Sequence, residues 1–493
     1  MSDVRTRHIS LPKSKINFLF ASVLVYHTAV YAAADNTGID FPGQLTQKKQ
    51  EWNGYYLYEN AYRYLEPRSI TKMRHTLFIR NSYNFSSRYK LFFAGRAYYD
   101  LVYDLFDYKT IVAREEREKE QPLVFVDNLN NEKDSPVAEI RELYLDLSLN
   151  NLDVRIGKQH IVWGVLEGVR VVDEINPMNF RELILPEYIL DYRIALWSIK
   201  ADFYRDSGTY QMIWIPEMAF HKPAPRGSEW ELFQEVPNTS KPISSNLRNS
   251  EIALRWSKNI FNNDIQLSYF YTWDDFPAIF RSANNLQDED PTLFPTYTRI
   301  NMYGATWQRQ IFGQIVKAEY AYVTGKYFGI SQRDLNNDAV LDDNGELKRN
   351  HVRWGVGLDL HFRAWDISPA FIQWDIINYD PAILQKKHDR AFNLYMRKKF
   401  KRGNTTFTSL WIYLIDLEDS LWKTKFTFGI TDKVNFGAGM DIFFGHKSAF
   451  GVVSRDNIGG GPLSLPGEVE QRTQFFGNFD DNDRIYFELK YSF

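Results

Sequence analysis

Charged side chains are concentrated in one segment that follows a tryptophan and a glycine, Trp163 and Gly164. Acids and bases that converge on a narrow passage select among the ions or polar solutes that cross it. The segment is interpreted either as a constriction folded into a pore or as an external loop with a solvated charged surface, and both interpretations stay open. Its charged residues are Glu167, Arg170, Asp173, Glu174, Arg181, Glu182 and Glu187.

A second acidic segment, residues 334–345, has spacing similar to that of a calcium-binding loop. Ala339 replaces the turn glycine of that pattern, and Gly345 stands where a bidentate glutamate is needed. These departures favour an ordinary acidic surface loop, with a weak structural calcium site as the alternative and no other cofactor. The oxygen ligands of that site would come from Asp334, Asn336, Asp338 and Asp342.

A third group of charged residues alternates with apolar residues at period two, which places them together on one face of extended strands. Both signs occur, so a pore lined by them is expected to have neither strong anion nor strong cation selectivity. The same residues can instead form ladders of ion pairs that stiffen the wall. The group comprises Arg96, Asp100, Asp104, Asp146, Asp153, Arg155, Arg353, Asp359, Arg363, Asp441, Glu488 and Lys490.

Motifs of enzymes are missing from the chain. It has no G-x-S-x-G elbow, no P-loop, no H-E-x-x-H and no zinc-ligand spacing. We therefore predict that the protein is not an enzyme. A membrane-embedded hydrolase, with serine and histidine brought together from separate strands, is the alternative.

The elements that carry these charges are long strands. In residues 484–493, Phe487, Leu489 and Tyr491 share one face, while Glu488 and Lys490 share the other. Strands in soluble proteins average about 5–6 residues, whereas these alternating stretches run to about ten, the length that a membrane-barrel strand needs. Glycines, small residues and charges on the second face favour a water-filled lumen over a packed core.

The fold predicted from this pattern is all-β: a closed antiparallel transmembrane β-barrel of about 18 strands, with 16 as the alternative. Short turns alternate with long loops, as expected for tight periplasmic turns and long extracellular loops. In hydrocarbon every backbone N–H and C=O must be paired, so such a sheet has to close on itself. Aromatic residues make up 16% of the chain, which suits the aromatic girdles of a barrel.

The N-terminus predicts export. Basic residues, an apolar run over 16–30 and small residues at 32–34 form a signal peptide over residues 1–34. Residues 35–51 are predicted to be a short periplasmic segment, and 52–493 the barrel. The signal carries four basic residues and one acid, so its removal takes the formal net charge from −3 to −6. That acidity argues against nucleic-acid binding, and the lack of cysteine excludes disulfides.

The C-terminal strand resembles the signal read by the barrel assembly machinery of the outer membrane. Its terminal aromatic residue and the apolar residues at alternate positions before it carry that resemblance, namely Phe493, Tyr491 and Leu489.

One stretch, residues 155–188, resembles a family of uncharacterised, porin-like outer-membrane proteins. A strand ending in G-[RK]-Q-x-x-x-W-G and followed by I-N-P carries the resemblance, and Arg170 and Glu174 lie between the two motifs. A weaker resemblance, to alginate-export barrels, rests on the strand beginning at Arg155. The matching positions are Gly157, Lys158, Gln159, Trp163, Gly164, Ile175, Asn176 and Pro177.

The resemblance implies a single barrel in the outer membrane of a Gram-negative bacterium, associated with envelope transport. The predicted function is a porin-like conduit for small or hydrophobic solutes. The alternative is an export component for a lipid-like or polysaccharide substrate that works with an inner-membrane exporter. The expected partners are outer-membrane lipid, lipopolysaccharide and the barrel assembly machinery.

Overall fold

The computed structural model describes residues 50–106, 137–166, 168–184, 192–222, 229–230, 243–281, 293–330, 345–400, 403–445 and 475–493. The predicted signal peptide and residues 35–49 lie outside these ranges, as do residues 334–344 of the calcium-like loop. One short helix, α1 (Val102–Leu105), and one 3-10 helix (Phe476–Asn482) are described. The strands are β1 (Gln50–Arg63), β2 (Ser69–Asn84), β3 (Tyr89–Asp100), β4 (Val137–Leu149), β5 (Leu152–Gln159), β6 (Arg181–Ile184), β7 (Leu196–Arg205), β8 (Gly208–Ile215), β9 (Glu251–Ile260), β10 (Asn263–Trp273), β11 (Ala278–Arg281), β12 (Leu293–Thr296), β13 (Arg299–Ile311), β14 (Gln314–Gly329), β15 (Glu346–Phe362), β16 (Trp365–Ile376), β17 (His388–Lys399), β18 (Thr405–Leu414), β19 (Asp419–Gly429), β20 (Val434–Phe444) and β21 (Arg484–Ser492).

Eighteen strands of the described chain, all except β6, β11 and β12, form one antiparallel sheet. Each strand pairs with its neighbour along the chain, and β1 also pairs with β21. The sheet therefore closes into a barrel, which confirms the predicted fold and the count of 18 over the alternative of 16. β11 and β12 pair only with each other.

The closing seam joins the two ends of the barrel sequence. The Gly54 amide donates to the Phe493 carbonyl at 2.9 Å, and the Phe493 amide donates to the Gly54 carbonyl at 3.1 Å. A side chain at position 54 would place its Cβ 2.3 Å from the Phe78 carbonyl oxygen and 3.0 Å from the Phe493 ring. Glycine is thus needed where the terminal ring lies against β1.

The two faces of the wall differ as the period-two pattern predicts. Phe487 and Leu489 of β21 are exposed on the outside. Arg484 of the same strand, which pairs with β20 and β1, is buried and faces inward. Residues paired across antiparallel strands share a face, so the assignment extends around the ring. The outside is a band of exposed apolar side chains, the pattern of a lipid-facing wall. It includes Leu254, Leu267, Tyr303, Tyr320, Val356, Leu358 and Phe426.

The two ends of the barrel have different connections. At one end, here called the turn end, eight short turns join the strands, and β1 begins and β21 ends there. At the opposite end, the loop end, lie the long connections, including 101–136, 160–195, 216–250, 274–298 and 445–483. Short and long connections alternate as predicted, except that residues 64–68 and 415–418 are short connections at the loop end.

The interior is filled on one side, which differs from the predicted water-filled lumen. Apolar side chains of β8, β10, β13, β14 and β16 point inward and pack against residues from the long connection after β5, forming one buried apolar cluster. A smaller apolar cluster lines β18–β20 and includes Trp230 and Phe479. The alternation of residues along each strand identified which side chains face inward. It could not show that a segment distant in sequence covers some of those side chains. Within the described part of the chain, no helix is both long and apolar enough to cross a bilayer.

Candidate functional site

The described residues that follow β5 lie inside the barrel, and residues 160–166 and 168–184 are called the inner segment below. Trp163 is 2% exposed and Ile175 is 1% exposed. Both belong to the apolar cluster that includes the inward-facing Ile213 and Phe270 of the wall. The described residues of the segment thus lie inside the ring of strands, and the constriction stays a prediction.

A single wall carboxylate holds the middle of the inner segment. Glu319 of β14 accepts hydrogen bonds from the backbone amides of Val165, Leu166 and Val172, the last two at 2.7 and 3.2 Å. Glu319 is 4% exposed. A buried carboxylate that accepts several N–H groups is stabilised by charge-assisted bonds. The segment is therefore tied to the wall at both ends of a tight bend.

Glycines make room for that bend. Gly164 has φ +95°, and a Cβ there would lie 2.9 Å from a Glu319 carboxylate oxygen. On β15, Gly355 and Gly357 each leave space for the Leu166 side chain, whose methyl carbons would lie 2.7 Å from an added Cβ. Wall glycines here form a socket for an apolar side chain of the segment.

The family-like motif residues fix how β5 passes into the inner segment. The Trp163 indole N–H donates to the Gln211 side-chain oxygen at 2.8 Å, and Arg255 lies 5.3 Å from the Trp163 ring centroid. Gln159 is fully buried and donates to the Ser198 carbonyl at 3.2 Å. Gly157 has φ +137°, and a Cβ there would lie 2.2 Å from the Leu143 carbonyl oxygen.

Asn176 joins the start of the segment to the chain that returns to β7. Its side-chain oxygen accepts from the Ile161 amide at 2.7 Å, and its side-chain NH₂ donates to the Ile194 carbonyl at 2.7 Å. The Pro177 carbonyl accepts from the Ile194 amide at 2.8 Å. Arg170 donates to the Asn176 carbonyl at 3.0 Å. The I-N-P element is thus a structural clamp inside the barrel.

Ion pairs hold the charged part of the segment against the wall and against the chain that leads to β7. Glu174 pairs with Arg353 of β15 at 2.8 Å, and Asp173 pairs with the buried Arg193. Burial raises the pKa of the Glu174 carboxyl, but Arg353 and Arg170 outweigh that effect and bring the pKa to about 2. Glu174 therefore stays ionised and paired throughout the physiological range.

His221 supports the same region from the connection after β8. Its Nδ1 accepts a hydrogen bond from the Met178 amide at 2.9 Å. Burial lowers the pKa of His221 to about 3, and Arg170 adds to that shift. The ring is therefore neutral at ordinary pH, as an acceptor at Nδ1 requires.

Glu182 connects the end of the segment to the opposite wall. It accepts from Lys72 at 2.8 Å and pairs with Arg74, both on β2. Lys72 also binds Glu59 of β1 at 2.8 Å, and Arg74 lies 3.4 Å from Asp100 of β3. Burial opposes ionisation of Glu182, but Arg74 and Lys72 outweigh it and lower its pKa.

A cavity of about 270 Å³ lies inside the barrel along the wall that Glu182 contacts through Lys72. Basic residues, carboxylates and hydroxyl groups of β1, β2 and β17–β21 line this space. Most of its charges lie in pairs, for example Arg484 with Asp441 at 2.9 Å. The lining includes Glu59, Lys72, Tyr395, Thr408, Ser409, Lys423, Lys425, Asp441, Arg484, Tyr486 and Glu488.

The predicted inner-face charges occupy the following positions. Strand pairing places ten of them on the inner face, several in ion pairs such as Arg155 with Asp146 at 2.6 Å and Lys317 with Asp359 at 2.5 Å. Arg363 instead lies in the turn between β15 and β16 with φ +55°, because β15 ends one residue earlier. Asp104 belongs to α1, and the position of its side chain is not described. The ten are Arg96, Asp100, Asp146, Asp153, Arg155, Arg353, Asp359, Asp441, Glu488 and Lys490.

Several predicted positions lie outside the described residues. These are Glu167, Glu187 and the four calcium-loop positions Asp334, Asn336, Asp338 and Asp342. The side chain of Arg181 is also not described. Within the described ranges, no three His, Asp or Glu side chains come together as a metal site. Lys158, which the motif includes, pairs with Leu143 and Trp197 and so faces outward.

Sequence reasoning missed the residues that receive the inner segment. Glu319, Arg193, Gly355 and Gly357 were not among the predicted site residues. One signal was present for Glu319: an acid in the alternating stretch 314–323, on the face that also holds Lys317 and Ala321. An acid on the inward face needs a partner, but its own strand does not show that three backbone amides of a distant segment supply it.

Glu229 is a buried acid inside the barrel. Its backbone carbonyl accepts from the Asn482 side chain at 2.9 Å. Burial raises the pKa of Glu229 to about 8, although Arg484 and Arg63 oppose the shift and Glu182 and Asp100 add to it. The neighbouring Trp230 packs against Phe443 and Phe479.

We therefore expect the barrel to lose stability as the pH rises toward 8. An acid with a raised pKa in the folded state stabilises the fold fully below its unfolded pKa, about 4.3, and this contribution is lost as pH rises through the folded pKa. Urea unfolding between pH 5 and 9 measures the effect. The Glu229→Gln variant, which cannot ionise, should lack this slope; an identical slope in both proteins would show that Glu229 is not its source.

Comparison with known proteins gives a family match over part of the chain and several distant structures. Residues 60–207 match the family described as "Protein of unknown function (DUF1302)", a range that contains the motif residues from Gly157 to Pro177. No curated protein sequence matches the chain.

Among solved structures, OccAB3 of Acinetobacter baumannii shares 8% identity at a TM-score of 0.48, over 91% of this chain and 100% of that one. The outer membrane protein opdK of Pseudomonas aeruginosa shares 7% identity at a TM-score of 0.45, over 90% and 99%. OccK8 (OprE) of the same organism shares 10% identity at a TM-score of 0.44, over 90% and 98%.

Proposed function

We propose that this protein is an outer-membrane channel, a porin-like conduit whose passage the inner segment narrows. The observation that carries the proposal is the closed 18-stranded barrel with an exposed apolar outside and an interior cavity lined by charged and hydroxyl-bearing side chains. An apolar band belongs against lipid, and a polar interior admits water. The turn end then faces the periplasm and the loop end faces outward.

The cavity lining supports small, water-soluble solutes rather than hydrophobic ones. The inner segment covers the inward apolar side chains of one large buried cluster, whereas the cavity is lined mainly by paired charges and hydroxyl groups. Paired charges of both signs create little net field, so they favour polar solutes without strong discrimination by charge.

Membrane insertion is tested with the refolded chain from residue 35 onward. Its gel migration is compared with and without heating, and the swelling of liposomes that contain it is measured. We expect the unheated protein to migrate differently from the heated one, as a closed barrel resists the detergent. We also expect liposomes containing it to swell in a small sugar. Unchanged migration, with the exported chain found in the soluble periplasm, would contradict the proposal.

The C-terminal residues are proposed as the assembly signal. Phe493 lies at the seam and covers Gly54, so its loss removes both a recognition element and a seam contact. We expect Phe493→Ala to lower the amount of folded barrel in the outer membrane severalfold, measured by the unheated gel band. Phe428→Ala, which removes an exposed outer-face ring away from the seam, is the matched control; equal losses in both would contradict a special role for the terminus.

A further inference from the structure

Two phenylalanines stand almost free in solvent at the turn end. Phe261 is 90% exposed in the β9–β10 turn, and Phe312 is 99% exposed in the β13–β14 turn. β10 and β13 are neighbours in the sheet, so the two tips are two strand spacings apart, about 10 Å. Phe362, 62% exposed, ends β15 beside the next turn. We call Phe261, Phe312 and Phe362 the rim patch.

The backbone at both tips is unfavourable for phenylalanine. Phe261 has φ +50° and Phe312 has φ +49°. Two-residue hairpin turns need positive φ at the first position, where Asn, Asp or Gly is ordinarily found, and a bulky side chain there is strained. Neither ring gains burial in return. Strained residues of this kind concentrate at functional sites.

The two rings lie beyond the level expected for lipid. Five residues before each tip, Trp256 and Trp307 lie on the outer wall, and their indole N–H groups donate to Ser207 and Asn263 at 3.1 and 3.0 Å. Tryptophans with a polar contact are typical of the headgroup level. Five residues of a tilted strand extend about 12 Å further. Outward-facing Lys258 and Arg309 lie in between.

Charge around the rim patch is mainly basic. Arg309 and Arg363 are exposed beside the β13–β14 turn and in the β15–β16 turn, and Arg205 is exposed at the β7–β8 turn, next to the β9–β10 turn. Arg363 lies 5.2 Å from the Phe362 ring centroid. The acids nearby in sequence include Asp206, Asp264 and Asp366. Asp264 is held by Asn259 at 2.6 Å, and Asp366 pairs with Arg397 at 2.7 Å.

We propose that the rim patch docks a periplasmic protein whose surface offers apolar pockets bordered by acidic side chains. The sidedness rests on the proposed function, which places the turn end in the periplasm. Aromatic anchors that enter pockets, with complementary charges around them, are the usual centre of a protein interface. A second copy of the chain would pack against the side wall of the barrel, and lipid would extend only to the level of Trp256 and Trp307. Neither would cover the rim patch.

The chain has no cysteine, so single cysteines report on chosen positions. Phe312→Cys and Phe261→Cys probe the rim patch, Asp432→Cys probes a turn elsewhere at the turn end, and Phe426→Cys probes the lipid-facing wall. The labelling rate with a membrane-permeant maleimide is compared in proteoliposomes of the purified barrel and in intact cell envelopes.

We expect the rim cysteines to react rapidly in proteoliposomes and at least severalfold more slowly in envelopes, with Asp432→Cys equally fast in both. Adding Arg309→Glu to Phe312→Cys should restore fast labelling in envelopes. Digestion of periplasmic proteins with protease should restore it as well.

Equal labelling of the rim cysteines in both preparations would overturn the proposal, as would protection that survives protease or the charge reversal. Quenching of a fluorophore at Cys-substituted Phe312 by spin-labelled lipid would identify lipid as the occupant, and a cross-linked species of twice the chain mass would identify a second copy. Either would overturn it too. A fluorophore on Phe426→Cys that lipid does not quench would instead contradict the membrane channel itself.

Discussion

Replacing Glu319 with alanine is expected to raise the single-channel conductance of the refolded barrel severalfold. Glu319 accepts three backbone N–H groups of the inner segment, and hydrogen bonds to a charged group contribute about 1.5–3 kcal/mol each. Removing all three frees the bend at Gly164 while leaving the wall strands paired. The passage should then widen, and current noise should increase as the segment moves.

Two variants sharpen this test. Glu319→Gln keeps the shape and a neutral acceptor, so its conductance should lie between those of the alanine variant and the unaltered protein. Asp146→Asn changes another inward carboxylate, one that pairs with Arg155 and does not belong to the cavity lining, and it should leave the conductance nearly unchanged. Equal effects at positions 319 and 146 would show that general loss of charge, and not release of the segment, controls the passage.

Asp173→Ala is expected to cost the largest amount of stability among single changes in the inner segment. Asp173 accepts the Trp163 amide at 2.9 Å and pairs with Arg193, whose side chain is 2% exposed. Breaking a buried ion pair by removing one partner costs about 3–5 kcal/mol, because the remaining charge is left uncompensated. Urea unfolding of the refolded barrel should show that loss.

The matched control is Asp146→Ala. Asp146 also pairs with an arginine, Arg155, but the two side chains are 26% and 27% exposed, and partly exposed pairs contribute only about 0–1 kcal/mol. A similar loss of stability for both variants would contradict the view that burial of the Asp173–Arg193 pair fixes the inner segment.

The wall of the barrel could be predicted because it depends on local pattern. In β15 and β21, alternation alone separates Val356 and Leu489 on the outside from Arg353 and Glu488 on the inside, and closure follows from the need to pair every backbone group in lipid. The count of strands followed from the spacing of turns. Arg363 was misplaced because periodicity does not show that a strand ends one residue earlier.

The contents of the lumen could not be predicted in the same way. Glu319 and the amide of Val165 are 154 residues apart in the chain, and no local pattern connects them. Gly355 and Gly357 looked like the small residues of an open pore, yet they form the socket of Leu166. The charges of Glu174 and Glu182 were visible, but whether they faced solvent or the wall depended on partners from β15 and β2.

The most direct test of the channel is single-channel recording of the refolded chain in a planar bilayer, under a salt gradient. We predict stable open steps and a reversal potential close to zero, because the lumen charges are paired and of both signs. A barrel that shows heat-modifiable folding and yet conducts no current would contradict a passage beside the inner segment.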